Sequence, residues 1–322
     1  MLEITIAFII LIGGIILIAF SSDLAVEHSA SLAASLGVSS LVIGITLVSI
    51  GTDVSEIFNS LMSSFIGHGD INVGNSVGSV LIQLTLVFGL LPILTGEFRV
   101  KKKSFLMIGS CEILSLILIF TVVEKGYITR LDALFMMVSF IFYTMVTYNS
   151  TKSDMLTHVD LMLEPHPETL LQEKFHYLSL AIIGFIGVAV SSYFIVESII
   201  FLSSKLNFSE YTISFFVLSL GTGLPELTVC TSALRKKHYN IAIGNIIGSC
   251  IVDATLSVAI GPFFFPQEIS ASIAIPTILY TIFASLIVII VVAKREVMDK
   301  KSGILFIGLF LLSIPLLFST LF

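Results

Sequence analysis

Four acids, Asp53, Glu56, Glu226 and Asp253, interrupt stretches of sequence that are otherwise apolar. Inside a bilayer a carboxylate costs about 3 kcal/mol or more, so each stands for ligand or proton chemistry before it stands for structure. Two of them close matching motifs, Gly51-Thr52-Asp53-Val54-Ser55-Glu56 and Gly221-Thr222-Gly223-Leu224-Pro225-Glu226. Thr and Glu stand at i and i+4 and share a helix face, which Asp53 joins from three residues before Glu56. Pro225 has no N–H, so the carbonyl of Gly221, four residues back, loses its helical partner. In a membrane that carbonyl needs another partner, and a bound cation would serve. Ser55 replaces the proline in the first motif, so the helix there is expected to be less broken.

The other motifs are two stripes. Asn75, Ser79 and Gln83 stand at i, i+4 and i+8, as do Asn245, Ser249 and Asp253, which aligns oxygen-bearing side chains on one face. Gly74/Gly78 and Gly244/Gly248 let backbones approach closely. Membrane-embedded Ser and Thr often only bond their own helix; the duplicated acids have no such account. Oxygen donors without thiolates or a histidine cluster suit a hard cation. Calcium takes about six to eight oxygens in flexible geometry, and magnesium demands a tighter octahedron. Rearranged, the same donors suit sodium.

These motifs need membrane helices to hold them. The chain is 56% apolar and 12% charged, with a mean hydropathy of +1.06, where a soluble domain carries about 25% charged residues. A hydrocarbon core about 30 Å thick needs about 20 apolar helical residues. Ten stretches qualify: 3–27, 38–65, 70–95, 104–123, 130–148, 176–203, 209–235, 240–264, 271–292 and 303–321. The first has only Glu3 where a cleaved leader has a basic region, so it is expected to be a membrane helix. A polar stretch at 149–175, with Pro165 and Pro167, separates five spans from five. Alternating the spans puts 13 of the 16 basic residues on one side and only Lys125, Arg130 and Lys205 on the other. The positive-inside rule then places both termini outside the cytoplasm and the connector inside.

A shift of 170 residues superposes the two halves without a gap. Ser21-Ser22 meets Ser191-Ser192, and Val26-Glu27 meets Val196-Glu197. Ser49, Gly51, Thr52 and Glu56 meet Ser219, Gly221, Thr222 and Glu226; Gly74, Asn75, Gly78 and Ser79 meet Gly244, Asn245, Gly248 and Ser249. Five spans per half makes the repeat inverted. Inverted repeats characterise secondary transporters, with the site near the midplane where the repeats meet. The expected fold is therefore an all-α polytopic membrane protein: a five-helix repeat at 1–148, the cytoplasmic connector at 149–175 and a second five-helix repeat at 176–322.

At these residues the chain resembles the cation/calcium exchanger (CaCA) superfamily, and within it the prokaryotic sodium/calcium exchanger-type antiporters. Their two alpha-repeats read G-T-S-x-P-E, then G-N-x-x-G-S, then Asn or Asp four residues after the Ser; here they would lie at about 44–94 and about 214–264. The resemblance covers nearly the whole chain. It carries ligand roles onto Thr52, Glu56, Ser79 and Gln83, and onto Thr222, Glu226, Ser249 and Asp253, with Ser49 and Ser219 where the family uses backbone carbonyls. It implies calcium on the two Glu residues, sodium on peripheral hydroxyls, carbonyls and an acid, and alternating access in which the first and sixth helices slide across a fixed core.

Asp53, Ser55, Gln83 and Gly223 depart from that pattern. With Asp53 added, four carboxylates around one divalent ion leave two negative charges, so a proton or a further cation must bind; clustered acids in low dielectric raise one another's pKa. Sodium, proton and potassium therefore all stand as coupling ions. Calcium and sodium are the expected transported ions, with no organic cofactor. The alternative to sodium/calcium exchange is a Ca2+/H+ or K+-dependent antiporter of the same fold, and beyond that a cation channel, since channels also use acid-lined sites. No HExxH motif and no nucleophile–base pair speaks for an enzyme. The expected partners are the lipid bilayer of a prokaryotic cell and inorganic cations, with no nucleic acid and no second chain. Glu112 is expected to be paired or snorkelling, Glu27 and Glu197 structural, His68 a turn residue, and Cys111, Cys230 and Cys250 small buried residues.

Overall fold

The computed structural model describes residues 2–35, 51, 53–162, 171–235 and 239–319. The helices among them are α1 (Leu2–Ser35), α2 (Val54–Ile66), α3 (Gly69–Thr95), α4 (Lys102–Val123), α5 (Arg130–Met162) and α6 (Leu171–Leu206), followed by α7 (210–222), α8 (Leu224–Arg235), α9 (239–264), α10 (Ala271–Arg295) and α11 (Lys300–Ser319). Eight helical stretches among the described residues are long and apolar enough to cross a membrane. Two expectations shift in length. α1 continues to Ser35, and helix runs into the 149–175 stretch from both sides, to Met162 and again from Leu171. Of the expected span 38–65, only Gly51 and residues from Asp53 onward are described.

The repeat is visible in the local structure. In both halves the stripe helix widens into a π turn at the same place, Ile82–Val87 in α3 and Asp253–Ser257 in α9. Thr85 and Thr255 each turn their hydroxyl back onto the carbonyl four residues before, Leu81 and Ile251. Such a turn inserts an extra residue into the ladder and re-aims the side chains around it; those side chains here include Gln83 and Asp253.

Four two-residue strands tie the halves together at the helix ends. β1 (Phe98–Arg99) pairs antiparallel with β4 (Val297–Met298), and β2 (Tyr127–Ile128) with β3 (Gln267–Glu268). The first pair brings together the turns rich in Lys and Arg, 99–103 and 294–301; the second joins the turns near Lys125 and Arg130 to that before α10. Beside these strands the helix starts are capped in related ways. Thr129 caps α5 with Asp132 reaching back to its N–H (3.1 Å) and Lys125 paired to Asp132. Asp299 caps α11, accepting from the Ser302 N–H (2.9 Å) and Arg295 (2.7 Å). The first is a capping box; in the second the acid stands at the cap itself and accepts from both the Ser302 N–H and its hydroxyl.

Packing divides the molecule in two. α3, α4, α9 and α10 contribute most of a large apolar core, in which Val77, Leu84, Phe88, Leu116, Ile119, Ile246, Ile278 and Val288 are buried. α1 and α6 pack along each other around a separate apolar cluster with Leu11, Ile18, Val188, Ile195 and Ile199. Their approach is backbone to backbone, since a Cβ on Gly184 would lie 2.5 Å from the Ala25 nitrogen. Between the two bodies α3 crosses α7 just as closely: a Cβ on Gly78 would lie 2.3 Å from the Phe215 carbonyl and 2.5 Å from the Ser219 hydroxyl. The outer surface exposes Ile9, Ile12, Ile16, Phe20, Leu131, Phe142 and Phe175, a surface made for hydrocarbon rather than water.

Candidate cation-binding site

The centre is built where two helices begin. Asp53 (φ −98°, ψ 11°) immediately precedes α2, and Gly223 (φ −80°, ψ −4°) immediately precedes α8. Both lie in the sparsely populated bridge region, at positions equivalent under the repeat. The next helical bond then restarts in the same way, Ile57 N–H to Asp53 O (3.0 Å) and Leu227 N–H to Gly223 O (3.3 Å). The expectation that Ser55 leaves the first helix less broken is therefore corrected. The break lies at 53 and 223, and Pro225 stands in the first turn of α8, where a missing N–H is tolerated. Ser55 uses its hydroxyl instead, donating to Glu56 Oε2 at 2.7 Å.

This start places Glu56 and Glu226 in the first turns of α2 and α8, facing each other. Carboxylate oxygens of Asp53, Glu56 and Glu226 lie within 4.8 Å of one another, and all three residues are buried. The Thr222 hydroxyl lies beside Glu56. Residues related by the repeat thus meet at one point, so the local two-fold axis runs through the acids. Gln83 and Asp253, also related by the repeat, meet too: Gln83 Nε2–H donates to Asp253 Oδ2 at 3.2 Å. Asp253 is buried, within electrostatic reach of Asp53, Glu56 and Glu226, but it stands outside the three-carboxylate cluster.

The remaining candidates divide. Ser79 and Asn75 on α3 and Ser249 on α9 are buried, and the Ser79 hydroxyl and Asn75 Oδ1 have no hydrogen-bond partner among the described residues. The Ser219 hydroxyl is committed to the Phe215 carbonyl, and its own carbonyl accepts the Gly223 N–H at 3.0 Å. Asn245 donates its side-chain N–H to the Cys230 sulfur at 3.6 Å. Ser49 and Thr52 lie outside the described residues.

The centre is a set of buried oxygen acceptors. Both oxygens of Glu226, Oε1 of Glu56 and Oδ1 of Asp253 have no hydrogen-bond partner among the described residues. A buried acceptor left unmet costs about 1–3 kcal/mol, more when charged. Among the described residues every salt bridge lies near a helix end: His68–Glu210, Lys125–Asp132, Lys205–Glu3 and Arg295–Asp299. None of these pairs involves Glu56, Glu226 or Asp253, and a cation or protons would balance their charge. An oxygen set of this kind can hold a hard divalent or monovalent cation.

Glu112 is fully buried rather than snorkelling, and accepts from Ser285 at 2.9 Å. Glu27 and Glu197 are exposed. All three cysteines are buried, but Cys250 is more than packing: its thiol donates to Gln83 Oε1 at 3.2 Å. Sequence reasoning missed that contact because Val80, its counterpart, carries no polar group. It also passed over Asp23 on α1, which lies within electrostatic reach of Glu226; its position one turn before Glu27 was the available signal.

Comparison with known proteins places this geometry among relatives. The sequence model of the family described as "Sodium/calcium exchanger protein" matches residues 6–149 and again 176–319. An uncharacterized membrane protein of Methanocaldococcus jannaschii is 29% identical over 307 residues, 94% of each chain. The sodium/calcium exchanger MaX1 of Methanosarcina acetivorans is 25% identical, covering 98% of this chain and 99% of its own. Among solved structures, the sodium-calcium exchanger NCX_Mj soaked with 2.5 mM Na+ and 10 mM Sr2+ matches with a TM-score of 0.61 and 27% identity, over 97% of this chain and 99% of that one.

Proposed function

Because the chain belongs to the sodium/calcium exchanger protein family, we propose that it is a secondary antiporter that moves Ca2+ against Na+ through ten transmembrane helices by alternating access. The observation that carries this reading is the meeting of the buried carboxylates of Asp53, Glu56 and Glu226 at the first turns of two repeat-related helices, where both oxygens of Glu226 and Oε1 of Glu56 have no hydrogen-bond partner among the described residues. Calcium would sit between Glu56 and Glu226, with Asp53, Thr52 and Thr222 completing its oxygen shell. Sodium would take peripheral positions near Ser79 and Asn75 on one side and near Ser249 and Asp253 on the other, with Ser49 and Ser219 supplying backbone carbonyls at the helix breaks. Gln83 and Asn245 would border these positions. Since the two ions need many of the same acids, filling one set empties the other, which is the chemical basis of exchange. The separate α1/α6 cluster supports a pair of helices that slides as one body over the rest.

Both termini would lie outside the cytoplasm, with the 149–175 connector inside. The strand pairs support this topology, since each joins turns expected on the same face. In proteoliposomes, an outward sodium gradient is expected to drive saturable calcium uptake. Uptake that ignores sodium but follows a pH gradient would select the Ca2+/H+ reading, which the additional acid Asp53 favours. Flux that neither saturates nor answers to any counter-ion would point to a channel.

A further inference from the structure

Gln83 departs from the family's usual residue, and its amide has two described contacts. Its Nε2–H donates to Asp253 Oδ2 at 3.2 Å, and its Oε1 accepts from the Cys250 thiol at 3.2 Å. All three residues are fully buried. Asp253 here accepts from the amide and the Cys250 thiol donates to it, so the two contacts together favour one orientation of the amide. The alternative acceptor for the thiol, the Val80 carbonyl, is farther at 3.9 Å. With the NH2 group toward Asp253, the amide offers hydrogens where an amide oxygen would otherwise serve a cation, and it occupies one oxygen of Asp253. Oδ1 of Asp253 remains without a hydrogen-bond partner among the described residues. The device is present once, because Val80, the counterpart of Cys250, has no donor.

We propose that Cys250 is a positioning residue that sets the site's affinity for its monovalent counter-ion, by holding the Gln83 amide as a hydrogen-bond donor to Asp253 instead of a cation ligand. The inference rests on the exchanger reading and adds to it that the held amide lowers monovalent affinity at one pole. Removing the thiol frees Oε1 to turn toward a cation. Calcium, held by Glu56 and Glu226 from other helices, should be affected little.

The test compares Cys250→Ala and Cys250→Ser in proteoliposomes. An orienting neutral hydrogen bond is worth about a three- to tenfold preference. Cys250→Ala is therefore expected to lower the sodium KM by about that factor while the calcium KM moves less than about twofold. Cys250→Ser, which restores a donor, should return the sodium KM toward the native value. A native sodium KM in Cys250→Ala, or equal shifts in both variants, would overturn the proposal. Sodium competition against calcium binding to the purified protein reads the same preference without transport, so a failure of sodium coupling is distinguished from a failure of this inference. The S–H infrared band isolated by subtracting the Cys250→Ser spectrum supplies a further check. In Gln83→Leu it should move to higher frequency as the thiol exchanges the Gln83 oxygen at 3.2 Å for the more distant Val80 carbonyl at 3.9 Å, and an unmoved band would remove the contact on which the proposal stands.

Discussion

The two halves of the molecule share a frame and divide the chemistry between them. Glu56 and Glu226 occupy equivalent first turns, each beginning after a residue in the bridge region. Around that frame the halves differ: Asp53 against Gly223, Ser55 against Pro225, Gln83 against Asp253, Val80 against Cys250. The cap pairs behave alike, with Thr129 and Asp132 in one half and Asp299 and Ser302 in the other. Equivalent positions that meet on the axis need not be identical; they need to be complementary. Gln83 and Asp253 show why, since two carboxylates there would repel and two amides would remove a charge.

Glu226→Gln and Glu56→Gln should each lower calcium uptake by at least about 100-fold, because each removes a central ligand and charge. A large difference between the two would show that the shared frame is not functionally symmetric. Gln83→Asp should lower uptake about tenfold at neutral pH, and partly recover it as pH falls, because protonation relieves the new repulsion with Asp253; a flat pH profile would contradict the contact. Asp53→Ser, which restores the family's residue, should shift ion preference or the pH profile of uptake several-fold with little change in thermal unfolding. An unaltered profile would leave Asp53 outside the chemistry. Ser55→Pro should change uptake by less than about twofold, since the position lies in a helix's first turn; loss of folding would show that the first break differs from the second.

The smallest effect concerns the cap of α11. The Ser302 N–H, with Arg295, holds the Asp299 carboxyl down at about 2 from its ordinary 3.8. Its folded value lies below its unfolded one, so its contribution is present above about pH 4 and lost as pH falls through about 2. Hydrogen exchange at the start of α11 should therefore rise over that window, and Asp299→Asn should remove this acid limb. Salt weakens such an exposed arrangement, so the rise should shrink in high salt.

Much of this was legible in the chain itself. Polar residues are rare inside apolar helices, so their recurrence 170 positions on identified the repeat, the acids and the helices that carry them. What could not be read was aim. Gln83 and Asp253 look like independent ligands in the stripes, yet they stand in equivalent π turns and hydrogen-bond to each other. Asn245 belongs to the same pattern and donates to Cys230 instead. Ser55 looked like a gentler substitute for proline, while the break falls two residues earlier in both halves.

The membrane solvent, the doubled architecture and the acidic, oxygen-donor chemistry follow from composition and periodicity, which act through local energetics that any stretch of chain carries with it. Which donors converge and which are taken by neighbours follows from the packing of distant helices. Hydrogen-bond partners such as Cys250 and Gln83 stand 167 residues apart, and their meeting depends on helix crossings, bridge-region breaks and π turns that no local propensity specifies.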